Sequence, residues 1–133
     1  HCIDPIKAIT NIRQILRPAG RLIIEVPNNA AVGFEKYGIY WPWTDLPRHL
    51  NYFTEQSLKK IVSTCGLYIS AAKFVGYARQ FSPEWISDQS SIWKVIGNGR
   101  RPNFCAGAWR LLARTIVAPN YIKYDSVRIH AQL

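Results

Sequence analysis

Ile9, Ile12 and Leu16 recur at helical spacing behind Asp4-Pro5, so the first pattern in the chain predicts a helix. Asp4 suits the cap, and Pro5 suits the first helical position, where a missing N–H costs nothing. The stretch "RPAG" ends the helix, because Pro18 and Gly20 cannot continue it, and Gly20 is the residue expected to supply the turn. Next, in "RLIIEVP", Leu22, Ile23, Ile24 and Val26 form a short apolar run, which predicts a parallel strand covered on both faces. Pro27 stops it. A helix, a tight turn and a buried strand make half of an α/β repeat.

Residues 28–53 break the pattern. They read "NNAAVGFEKYGIYWPWTDLPRHLNYF", rich in Asn, Gly, Pro and aromatics, with a short helix expected around residues 30–37. Connections this long inside a domain are often functional, and in α/β sheets ligands gather at the carboxyl ends of strands. Helical order resumes at Thr54, an N-cap followed by Glu55, and Leu58, Ile61, Val62 and Cys65 form the apolar stripe that Gly66 ends. "LYISAAKFVGY" reads as a strand. Residues 78–121 change character, with two helices expected in "SPEWISDQSSIWKVIGNG" and "NFCAGAWRLLARTIVAP", and their Trp85, Trp93 and Trp109 expected in core or lid packing. Finally "DSVRIHAQL" alternates Val127, Ile129 and Ala131 with Arg128, His130 and Gln132, a strand with one more polar face; His130 is expected to be exposed.

A chain of 133 residues is one domain's worth, and 48% hydrophobic with 19% charged residues is a globular composition. The net charge of +9 is scattered rather than clustered, which argues against a nucleic-acid partner. No apolar run approaches a membrane span. Cys2, Cys65 and Cys105 are widely spaced with no C-x-x-C pair, so no metal or redox dithiol is implied and a reducing cytoplasm is the expected setting. The chain opens on His1 rather than Met, and we expect its natural beginning to lie upstream.

Two stretches carry a family resemblance. "HCIDPIKAITNIRQILRPAGRLIIEVPN" resembles the segment after the fourth strand of class I S-adenosylmethionine-dependent methyltransferases, and "DLPRHLNYFTEQSLKKIVSTCGL" resembles the D-x-PRH-x-x-x-F-[ST] segment of one small-molecule branch. Ala19 departs from the family's preferred Gly. The resemblance implies the C-terminal half of a Rossmann-like α/β fold: three strands at 21–27, 67–76 and 125–132, the last inserted between the others and antiparallel to both. Residues 1–77 and 122–133 then belong to the catalytic domain and 78–121 to a helical insert or lid. It also implies S-adenosylmethionine as cofactor and a small-molecule acceptor, such as a sugar nucleotide, a quinone precursor or another metabolite. The family's glycine-rich turn and ribose-binding acid are missing, since "GNGRR" follows a helix, so this chain alone is expected to be inactive. A non-catalytic module that forms a homodimer along the bare edge of the 21–27 strand is the alternative.

His49 is the sole imidazole in the long loop, a side chain that exchanges a proton near neutrality, and enzymes with this motif turn it toward the acceptor. It is the candidate base, against a purely structural bond to the loop backbone. Arg48 holds an acceptor phosphate or carboxylate, or pairs with Asp45. Trp41 and Trp43 floor an acceptor pocket or seal it, and Tyr52 packs the loop or offers its hydroxyl. Asn28 contacts a ligand or makes a turn. His1 matches the family's loop beside the cofactor.

Overall fold

The computed structural model describes residues 1–77, 87, 91 and 104–133. Helix α1 (Pro5–Ile15) begins where Asp4 Oδ1 accepts the Lys7 N–H at 2.9 Å. Strand β1 (Arg21–Pro27) follows, then α2 (Val32–Tyr37) and two 3-10 turns (Gly38–Tyr40 and Pro42–Thr44). Helix α3 (Glu55–Thr64) opens with a reciprocal cap: Ser57 N donates to Thr54 Oγ1 at 3.2 Å, and Thr54 N donates to Ser57 Oγ at 2.9 Å. Strand β2 (Tyr68–Val75), helix α4 (Phe104–Thr115), the short helix α5 (Asn120–Lys123) and strand β3 (Ser126–Gln132) complete the described elements. No helix among the described residues is long and apolar enough to cross a membrane.

The strands lie in the order β1-β3-β2, with β3 antiparallel to both neighbours. This matches the sheet that the resemblance implies, with no strand end displaced by more than one residue. Pro27 and Val75 both pair with Ser126, so the carboxyl ends of β1 and β2 share one rim with the start of β3. On one face of β3, Val127, Ile129 and Ala131 bury against Ile9 of α1 and Leu58 and Val62 of α3. Full burial of a Val or Leu side chain contributes roughly 1.5–3 kcal/mol, and this cluster holds the two helices on the sheet.

Three expectations need correction. Strand β1 is not covered on both faces: Leu22, Ile24 and Val26 pack on the core, but Ile23 is 57% exposed. Its apolar run belongs to an antiparallel pairing with one open face among the described residues. His130 is half-buried rather than exposed, because β3 is central and Ile23 and Ala71 flank it across the ladders. Trp109 does not pack inward: it is 71% exposed on α4. Trp85, Trp93 and all of the first expected helix but Ser87 and Ser91 fall outside the described residues.

The turn before β1 also differs from expectation. Ala19, not Gly20, occupies the left-handed region, with φ of 60°. Gly20 serves a different need, since a Cβ there would lie 2.7 Å from the Arg17 carbonyl oxygen. A non-glycine residue in left-handed backbone costs roughly 1–2 kcal/mol. Ala19→Gly should therefore raise stability by about 0.5–1 kcal/mol in urea unfolding, the net after glycine's greater freedom in the unfolded chain. An unchanged or lower midpoint would contradict this backbone geometry.

Candidate functional site

Asn28, the first residue past β1, is fully buried. Its Nδ2 donates to the carbonyls of Tyr121 at 2.8 Å and Tyr124 at 3.0 Å. Its Oδ1 accepts the Ala30 N–H at 3.1 Å, and its own N–H donates to the Asp125 carbonyl at 2.8 Å. A parallel bridge joins Asn28 to Phe53, and Asn29 N donates to the Phe53 carbonyl at 2.8 Å. The two ends of the 28–53 loop are thus pinned together above the sheet's rim. Of the two roles open to Asn28, the structure places it in the turn.

The loop's body packs on itself. Trp41 is buried with Val32 and Leu111 and stacks on Tyr37, with ring centroids 5.7 Å apart and an interplanar angle of 2°. Its indole lies so close to α2 that a Cβ on Gly33 would fall 2.2 Å from the ring. Only glycine admits that approach. Trp41 therefore seals the loop, and half-buried Trp43 packs against the same cluster. Thr44 Oγ1 donates to the Gly38 carbonyl at 2.8 Å and ties the two 3-10 turns together.

The Asp45–His49 segment comes next along the loop. The Asp45 carbonyl accepts from Arg48 N at 2.8 Å and from His49 N at 3.1 Å, closing a tight turn. The Arg48 guanidinium grips the Asp45 carboxylate, with Nη2 2.8 Å from Oδ2 and 2.9 Å from Oδ1. Such a surface pair contributes little stability, but it occupies the arginine. His49 is half-buried, and its Nδ1 lies 2.8 Å from the Trp43 carbonyl oxygen. A carbonyl only accepts, so Nδ1 carries a hydrogen, and in the neutral ring the lone pair falls on Nε2. The exposed His1 ring sits 4.8 Å from that of His49, tilted by 38°.

His1 and His49 line a cavity of about 460 Å³ whose walls include Ile9 of α1, Val26 and Pro27 at the end of β1, and Phe53. Tyr52 lines a different cavity, of about 590 Å³, with Phe34, Ile39 and Leu46. Its hydroxyl donates to the Thr44 carbonyl at 2.8 Å. Burial, reinforced by the Asp45 carboxylate, raises the Tyr52 phenol above its ordinary pKa, so it stays protonated and bonded at neutral pH. The predicted residues are therefore divided: His1 with His49, Tyr52 apart, and Trp41 and Asn28 inside the scaffold. Sequence reading gave Asp45 no role beyond its pairing with Arg48, although an acid four residues before His49 in a proline-bearing turn was a usable signal.

The chain belongs to the methyltransferase domain family, whose match spans residues 1–72. No curated protein matches it, and no solved structure does. S-adenosylmethionine presents a ribose diol and an amino-acid head that need polar partners. Around the His49 cavity, Glu25 is paired with Arg128 at 2.6 Å, and the Asn51 amide donates to the Cys2 carbonyl at 2.8 Å. No run of glycines follows any of the three strands among the described residues. The described residues do not fit the whole cofactor, and supply at most one wall for it.

Asn28→Ala should leave the Tyr121 and Tyr124 carbonyls without this donor and cost about 1–3 kcal/mol in chemical denaturation. A loss below the resolution of that experiment would mean that the loop is anchored elsewhere.

Proposed function

We propose that this chain forms the acceptor side of an S-adenosylmethionine-dependent methyltransferase acting on a small molecule, with His49 as its general base. The supporting observation is that His49 lines the cavity at the carboxyl end of β1 while its Nδ1 hydrogen is committed to the Trp43 carbonyl. The cofactor, when bound, supplies an electrophilic methyl group on a sulfonium. Its grip is proposed to lie outside these 133 residues, in keeping with the missing glycine-rich turn.

An acceptor hydroxyl or amine must shed a proton as it is methylated, and the Nε2 lone pair of His49 is placed to take it. The Trp43 carbonyl fixes the ring and steadies the positive charge that the imidazole gains. Ile9, Val26 and Phe53 exclude water from the inner wall. Holding the acceptor in line with the methyl group accounts for most of the remaining rate. The apolar walls favour an acceptor with an apolar body, of the quinone-precursor kind, over a sugar nucleotide. Arg48, engaged with Asp45, is not poised for a phosphate.

In the enzyme that carries this chain, His49→Gln should lower kcat by about 10²–10⁴-fold and leave cofactor affinity unchanged. An unaltered kcat would remove His49 from the chemistry.

One observation favours a second reading. Among the described residues β1 pairs only with β3, which leaves its other edge open, and open edges recruit strands. A homodimer along that edge predicts a concentration-dependent elution volume in size exclusion, and a constant monomer volume at every concentration would dismiss it.

A further inference from the structure

We propose that His1, Asp45 and His49 form a binding site for a divalent transition-metal ion of zinc's chemistry. One donor atom from each of the three lies within 4.8 Å of the other two. Two imidazoles and one carboxylate are a donor set that suits zinc and leaves a fourth position for water or a ligand oxygen. The set disfavours magnesium, which prefers oxygen donors throughout.

The supports behind these donors point the same way. His49 Nδ1 is bound to the Trp43 carbonyl, the arrangement that fixes the tautomer of a metal-binding histidine and leaves Nε2 for the ion. The Asp45 carbonyl accepts the His49 N–H at 3.1 Å, so the carboxylate and the imidazole belong to one closed turn. Tetrahedral zinc with bonds of about 2.1 Å needs its donors roughly 3.4 Å apart, so the widest separation in the cluster must shrink by up to about 1.4 Å. The exposed His1 can make that movement.

Arg48 is the competitor. Its guanidinium now neutralises Asp45, and its side chain is 71% exposed, so it can withdraw into solvent when an ion arrives. A proton and a metal ion also compete for Nε2 of His49, which makes the metal-loaded chain a poorer base. The site itself does not rest on methyl transfer, and its test reads metal alone.

The test is calorimetric titration of the 133-residue chain with zinc chloride, followed by the same titration of variants whose far-ultraviolet dichroism matches the parent. One zinc per chain is expected. His49→Ala and Asp45→Asn should each weaken binding by about tenfold or more. Arg48→Ala should tighten it several-fold, Cys2→Ser should leave it unchanged, and millimolar magnesium should not compete. Equal affinity in the His49 and Asp45 variants, or loss of binding in Cys2→Ser alone, overturns the proposal. Should the His49 variant fail to fold, histidine ring resonances of the parent decide: zinc must shift His1 and His49 and spare His130. The reverse pattern refutes the site.

Discussion

Everything at the rim of the sheet depends on one buried amide. Asn28 sits where β1 ends, and a side chain with two donors and an acceptor cannot be buried unless each is met. Tyr121, Tyr124 and Ala30 meet them. The same residue bridges to Phe53, where the long loop returns to the sheet. One residue thus joins the exit of β1, the far end of its loop and the approach to β3. Without that closure, residues 28–53 would be a long tether with no fixed relation to the sheet, and no side chain in it would have a defined outlook.

With the closure in place, the loop's interior is determined by contact rather than by hydrogen bonds to the sheet. Gly33 lets the Trp41 indole lie against α2, and Tyr37 stacks on its outer side. Trp43 and Thr44 follow, and the turn begun by Asp45 delivers His49 to the cavity beside Val26 and Pro27. Tyr52 and its cavity lie apart from this one. Among the described residues the chemistry on offer at this cleft is narrow: two imidazoles and a carboxylate at its apolar edge. Membership of the methyltransferase domain family gives that cleft a context.

Much of this was legible in the residues. Asp4-Pro5 and Thr54 announced their helices because capping is local chemistry, settled within three or four positions. The alternation in residues 126–132 disclosed β3 and its buried side. What stayed hidden depended on distant partners. The Asn28 amide finds Tyr121 at a separation of 93 residues, which no local pattern encodes. The apolar run of β1 was ambiguous because hydrophobic residues mark burial without saying on how many faces. Ala19 is subtler: the sequence marked the turn correctly, but the left-handed conformation fell on the alanine while the glycine was needed for a close backbone approach.

The central claim is that the loop crosses the carboxyl end of β1 and holds His49 by its Nδ1, with Nε2 open. Free imidazole prefers the opposite tautomer, so the claim leaves a spectroscopic mark. Long-range proton–nitrogen correlation on the neutral side chain reads the tautomer directly. The account predicts a protonated Nδ1 and an unprotonated Nε2 at His49. A protonated Nε2, with Nδ1 bearing the lone pair, would contradict it.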